Sequence, residues 1–325
     1  MDSKNTYKPT FEHEELECDE DAYNILNCLK LDLPSQSICI HNNYIVYCKM
    51  ADNSFKTSKL CIIHADDFES QNVEAIEEFD IDFYVNRIRN FNNSLILLGD
   101  SDLAIFENKK FWKFPNTQNF KFGFGLCVFE RKIYAGTSDG KILVLTEKME
   151  IDEIIEMHKS QIDSIVFYDK EMYSSSSKGG IYKNKKLIFE NTTDVNSLDI
   201  KSNLLVFGDE EGSIGIINGN VCYKINDWHK SSIECIKFNK NVEGEEVLFA
   251  CSEEQVSMWD LSLENEEKII FNTDIKISDA VTETVEVKNN ESFLLFVHQG
   301  FRQYKDIDFL NTIAFNNSRR WYKYV

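Results

Sequence analysis

The sequence predicts an all-β chain closed into a ring of small sheets, and three observations carry the prediction. Short alternating apolar segments recur about every 40 residues. After most of them comes the same hairpin shape: apolar strand, small polar turn, apolar strand. Proline is scarce, with 3 in 325 residues, and 42% of the chain is hydrophobic, so a large buried core is within reach and a low-complexity chain is excluded.

The repeating segments are VNRIRN with Ile88, GFGLCVF with Leu126, IDSIVF with Ile165, VNSLDI with Leu198, IECIKF with Ile236 and YKDIDF with Ile307. Their apolar anchors are 38, 39, 33, 38 and 71 residues apart, and the long last step holds a polar stretch from Leu263 to Ser292. The hairpins that follow the first five read LILLGDSDLAIFE, IYAGTSDGKILVL, MYSSSSKGGIYKN, LLVFGDEEGSIGIIN and VLFACSEEQVSMWD. Gly and Asp suit their tight turns. The strand-rich stretch Ser37 to Asp66 and the tail TIAFNNSRRWYKYV bring the count to seven units after Ser35. A period near 40 is that of the WD repeat. Four-stranded blades around an axis bury both faces of such short strands, which a sandwich with this period does not explain. The expectation is a seven-bladed WD40 β-propeller over 35–325, preceded by an acidic segment and one N-terminal α-helix over 1–34.

That helix is read from CDEDAYNILNCLKLDLP, where Ala22, Ile25, Leu26 and Leu29 fall at helical spacing. Asp19 or Asp21 caps it and Pro34 marks the exit. It is expected to pack on the flank of the propeller, with residues before Phe11 disordered; gripping a partner peptide is the other reading. His158, His229 and His298 each precede an inner strand. In WD repeats such a histidine bonds a turn aspartate, so these three are expected to be structural rather than catalytic. Trp-Asp occurs at Trp259-Asp260, and Glu253 or Glu254 stands at the turn-aspartate position.

The net charge is −20 and the sequence pI about 4.8. Such a chain repels nucleic acid and anionic membranes at long range and attracts basic partners, and the other reading of composition alone is that the charge serves only solubility. Nine scattered cysteines without a Cys-x-x-Cys pair read as free thiols of an intracellular chain, and no run reaches the roughly 18 apolar residues of a membrane span. Catalytic motifs are missing: no phosphate loop, no Gly-x-Ser-x-Gly, no His-Glu-x-x-His. GTSDGK at Gly136–Lys141 sits within a hairpin and is read as a turn. Cys39 with His41, and Cys61 with His64, lack the closer Cys pairing usual in zinc sites. No enzyme activity, metal or cofactor is expected, and a monomer is.

The pieces ELECDEDAYNILNCLKLDLPSQSICI, YVNRIRN, TDVNSLDIKSNLLVFGDEEGSIGI, HKSSIECIKFN, CSEEQVSMWDLSLE and LLFVHQGFRQYKDIDF occur in that order. Together they resemble the glutamate-rich WD-repeat proteins, chaperones in ribosome biogenesis for large-subunit ribosomal protein L-three. The resemblance covers the chain after about Glu15. It implies a non-enzymatic protein of the nucleus and nucleolus, with a cytoplasmic pool open, that binds a basic ribosomal protein before pre-60S assembly. The histone-binding WD adaptors of chromatin complexes are the alternative. The family's long Asp/Glu tract is here a short one, ADDFESQNVEAIEEFDIDF, so the chain looks like a shortened version.

Partner-binding residues are predicted in three groups. Asp66, Asp67, Glu69, Glu74, Glu77 and Glu78 belong to the short tract, read either as a mobile acidic arm or, from the spacing of Val73, Ile76 and Phe79, as a short amphipathic helix. Asp100, Asp102, Asp139, Asp209, Glu210, Glu211, Glu253 and Glu254 lie in the middle hairpins, and Asp163, Asp194, Glu234 and Asp306 near the inner-strand starts. Many of the latter two groups are expected to ring one face and make the potential over the channel negative.

Overall fold

The structure, a computed structural model, describes residues 29, 31–51, 56–69, 76–241, 244–288, 290–299, 302–310 and 313–320. The N-terminal helix and Glu74 lie outside them. Blade one holds β1 (Ser35–His41), β2 (Tyr44–Met50), β3 (Ser58–His64) and β4 (Glu77–Ile81). Blade two holds β5 (Arg87–Phe91), β6 (Ser94–Leu98), β7 (Leu103–Glu107) and β8 (Lys110–Lys113). Blade three follows with β9 (Phe122–Phe129), β10 (Lys132–Thr137), β11 (Lys141–Leu145) and β12 (Ile151–Glu156). Blade four is β13 (Ile162–Tyr168), β14 (Glu171–Ser176), β15 (Gly180–Lys183) and β16 (Lys186–Glu190). Blade five is β17 (Val195–Lys201), β18 (Leu204–Asp209), β19 (Ile214–Asn218) and β20 (Val221–Ile225), and blade six begins with β21 (Cys235–Phe238), β22 (Val247–Cys251) and β23 (Val256–Asp260).

The polar stretch after β23 is a strap. Its β24 (Glu283–Glu286) runs parallel to β20 as a fifth strand of blade five, and β25 (Leu294–His298) then completes blade six. On the way the strap reaches blade four, where Lys183 Nζ donates to the Ile277 carbonyl at 3.2 Å and the Val281 amide to the Ile188 carbonyl at 2.8 Å. Among the described residues the seventh position holds the hairpin of β26 (Arg302–Leu310) and β27 (Ile313–Arg320). Six complete blades therefore replace the expected seven. A blade consumes four apolar segments, and the last unit shows two among the described residues.

The inner strands β1, β5, β9, β13, β17, β21 and β26 neighbour one another in turn, and β26 returns to β1. The repeat anchors Ile88, Leu126, Ile165, Leu198, Ile236 and Ile307 are all buried on them. The cores lie between adjacent blades: Val206, Ile216, Ile236, Leu248 and Trp259 join blades five and six, and Ile96, Leu98, Leu126, Ile133 and Leu143 join blades two and three. Burying both faces of each sheet in this way is the main stabilising term. GTSDGK forms the β10–β11 turn; Gly140 has φ +89°, and a Cβ there would lie 2.3 Å from the His158 carbonyl oxygen, so only glycine fits.

Among the described residues the one α-helix is α1 (Ala65–Glu69), and none is long and apolar enough to cross a membrane. Neither reading of the short acidic tract holds for Glu77 to Ile81. That stretch is the outer strand β4, paired to β3, with Phe79 against Phe106 at 4.9 Å. Glu78 meets Lys49 at 2.7 Å and Lys59 at 3.0 Å, and Glu77 meets Lys109 at 2.7 Å. Cross-strand partners outweigh the helical spacing of its apolar residues.

Candidate functional site

Backbone hydrogen bonds put the middle-hairpin turns and the loops leading into the inner strands on one face. Phe122 N donates to the Asp100 carbonyl at 2.8 Å, Ser138 N to Lys121 at 2.8 Å, Ser177 N to Gln161 at 3.0 Å, Glu210 N to Asp194 at 3.0 Å and Ile233 N to Asp209 at 3.0 Å. Most predicted acids therefore share a face by topology alone. Asp66, Asp67 and Glu69 do not. Their helix follows β3 on the side of the β1–β2 turn, where Ala65 N donates to the Asn43 carbonyl.

The shared face divides its acids three ways. Asp102, Asp139 and Glu234 are paired, with Lys113 at 3.4 Å, Lys141 at 2.6 Å and Lys305 at 2.6 Å. Asp209, Glu254 and Asp306 are buried and are held by bonds within the chain. Asp209 meets Lys224 at 3.4 Å, accepts Asn191 Nδ2 at 3.1 Å and caps the Ser213 amide at 2.8 Å. Glu254 accepts the Lys230 amide at 2.6 Å and Ser231 Oγ at 2.5 Å. The third set, Asp100, Asp163, Asp194, Glu210, Glu211 and Glu253, has no Lys or Arg at ion-pair distance among the described residues.

Asp163, Asp194 and Glu210 act on one another. Burial pushes the Asp163 carboxyl up to about 6; the Gln161 amide, 2.8 Å away, and Arg87 work against this, and Asp194 and Glu210 add to it. Burial and then Glu210 raise Asp194 as well. Asn196 donates to Glu210 at 3.1 Å and to Ser232 Oγ at 2.6 Å. Asp163 and Asn196 also line the central channel, a cavity of about 650 Å³.

The channel wall departs from the expected negative surface. Acids Asp163, Asp199, Glu234, Asp306 and Asp308 are matched there by Arg87, Arg89, Lys237, Lys240 and Lys305. Lys237 Nζ lies 3.1 Å from Asp306, Lys240 Nζ 2.5 Å from Asp199, and Arg89 3.9 Å from Asp306. Against the cost of burial, Lys237, Arg89 and Arg87 hold Asp306 well below the usual carboxylate range. Arg87 lies over the Phe124 ring at 5.0 Å. The sequence reading missed these cations. Their signal is the alternation in VNRIRN and IECIKF, where residues flanking the buried anchor point into the channel.

The three histidines are buried at the rims of the blades. His229 Nδ1 pairs with Ser252 Oγ and Nε2 with Ser257 Oγ, both at 2.7 Å, and Trp259 Nε1 donates to Ser257 at 2.7 Å. The expected turn carboxylate is Glu254, but at 3.9 Å from His229 it holds the loop amide more closely than the imidazole. His158 Nε2 pairs with Ser174 Oγ at 2.7 Å and its ring lies 4.2 Å from that of Tyr182, while its Nδ1 has no hydrogen-bond partner among the described residues; His298 stands edge-on to Tyr304.

No protein-family model matches the chain, and no curated protein matches it. The solved structures it resembles include the WD40 β-propeller domain of Doa1, with a TM-score of 0.62 and 12% identity over 90% of this chain and 93% of that one. The computationally designed Ika8 protein is similar too, with a TM-score of 0.53 and 11% identity over 90% and 96% of the two chains. At such identities the likeness establishes the fold: this is an all-β propeller of the WD40 kind.

Proposed function

We infer that the protein is a non-enzymatic binding scaffold whose hairpin face holds a strongly basic protein. The client that fits best is large-subunit ribosomal protein L-three, held before it joins the pre-60S particle. The supporting observation is the group Asp163, Asp194 and Glu210 beside the channel mouth, where three carboxylates act on one another and, among the described residues, none has a Lys or Arg at ion-pair distance, Arg87 acting on Asp163 only from further off. Holding a buried carboxylate, Asp163, close to the half-buried Asp194 and the exposed Glu210 costs stability, and a Lys or Arg of a client offsets that cost. Glu211 and Glu253 on the same face extend the attraction outward. Each exposed pair contributes about 0–1 kcal/mol, so affinity grows from several converging pairs.

The test offers immobilised protein ribosomal protein L-three and core histones at matched salt. Tighter binding of the ribosomal protein is expected. The triple substitution Asp163→Asn, Asp194→Asn and Glu210→Gln should weaken it about tenfold or more, the effect of roughly 1.4 kcal/mol. A preference for histones would overturn the client, and unchanged affinity in the triple variant would overturn the site.

A further inference from the structure

We propose that the seam between β26 and β1 is the joint at which the ring opens, held shut by the Asp306 and Asp308 carboxylates docked on the main chain of β1. Among the described residues no sheet combines strands from both ends of the chain. Blade one is built from β1 to β4 and the seventh sheet from β26 and β27, so no shared ladder crosses between them. Every other seam joins blades that are consecutive along the chain. This one joins the first sheet to the last, and side chains bridge it.

The bridging is specific. Ser37 Oγ donates to Asp306 Oδ2 at 2.9 Å, and the Ile38 amide approaches the same oxygen at 3.4 Å. The Ile40 amide donates to Asp308 Oδ2 at 2.7 Å. Lys237, at 3.1 Å, ties Asp306 back to blade six. One other seam uses the same two positions. Between β17 and β21, Ser197 Oγ accepts the Ile236 amide at 3.1 Å and Asp199 Oδ2 accepts the Phe238 amide at 2.8 Å. VNSLDI and YKDIDF align on Leu198 and Ile307, so Asp306 stands where the chain-linked seam has Ser197, and Asp308 matches Asp199. In the serine position the Asp306 carboxylate takes its closer bond from the Ser37 hydroxyl, at 2.9 Å, and holds the Ile38 amide more loosely, at 3.4 Å, than Ser197 holds Ile236.

The seams can be compared directly by native-state hydrogen exchange read at single amides. Ile38 and Ile40 should exchange at least about tenfold faster than Ile236 and Phe238, because only the former pair is freed by opening between sheets that are not consecutive along the chain. Asp308→Asn should speed the amides of β1 and β26 together. Asp199→Asn, which removes the matching bond, should speed Phe238 and its immediate neighbours alone. Equal protection at the two seams in the unaltered protein would overturn the proposal without any variant. An Asp308→Asn effect confined to Ile40 would overturn it as well.

Discussion

At the scale of single residues, what a polar side chain does here is decided by whether it points between blades, into the channel or out from the rim. Ser257 illustrates the first case. It sits between Trp259 Nε1 and His229 Nε2, so Ser257→Ala strands two buried polar groups. The expected cost is about 1–3 kcal/mol in urea unfolding; a loss under roughly half a kcal/mol would show that the network adds nothing. Burial also lowers His158, His229 and His298 to about 4, below the ordinary 6.5. They are neutral in the fold while the unfolded chain binds protons, so stability is full above pH 6.5 and falls as pH drops towards 4. Glu254 partly offsets this at His229, and Asp163, raised to about 6, with Asp194, also raised, favours the fold as pH falls through the same window. The three imidazoles outweigh the two raised carboxyls, and the urea midpoint should fall from pH 7 to pH 4.5. A flat or rising midpoint would show that the imidazoles are not held neutral. The structural role of these histidines was legible in their spacing ahead of the inner strands. The burial of Asp209, Glu254 and Asp306 was not, because a turn acid that caps an amide and one that faces a client have the same letter.

At the scale of elements, periodicity located the inner strands, and contact across the sheets decided the rest. The strap shows the limit. Its polar composition marked an interruption, yet Phe271, Ile277 and Val287 are buried in the grooves beside blade five. Phe271 stands edge-on to Tyr223 at 5.3 Å and tilted to Phe293 at 5.5 Å. Phe271→Ala should therefore cost about 3–5 kcal/mol, as for a core position. A change under about 1 kcal/mol in thermal or urea unfolding would make the strap a surface ornament instead of a girdle across blades four to six. Likewise Val73, Ile76 and Phe79 recur at helical spacing, but β3 offered an open edge with Lys49 and Lys59 beside it, and Glu77 to Ile81 became a strand.

At the scale of the whole molecule, charge sorts by position. The channel wall carries both signs in near balance, while on the hairpin face Asp100, Asp194, Glu210, Glu211 and Glu253 have no Lys or Arg at ion-pair distance among the described residues. Binding of a basic client is therefore expected to be salt-sensitive, weakening steeply from about 50 to 300 mM, because exposed charges are screened over roughly 10 Å. Affinity independent of salt would point to an apolar contact instead. The sequence by itself determined that the chain is a ring of repeated sheets, since a 40-residue period with two-faced apolar strands has few other solutions. It also determined that turn acids gather on one face, because that follows from alternating strand direction. Only the tertiary structure decided, among the described residues, which acids have no ion-pair partner, that five Lys and Arg side chains line the channel, and that a hairpin stands at the last position. Those outcomes depend on which side chains meet across blades far apart in the chain, and such meetings leave no local pattern to read.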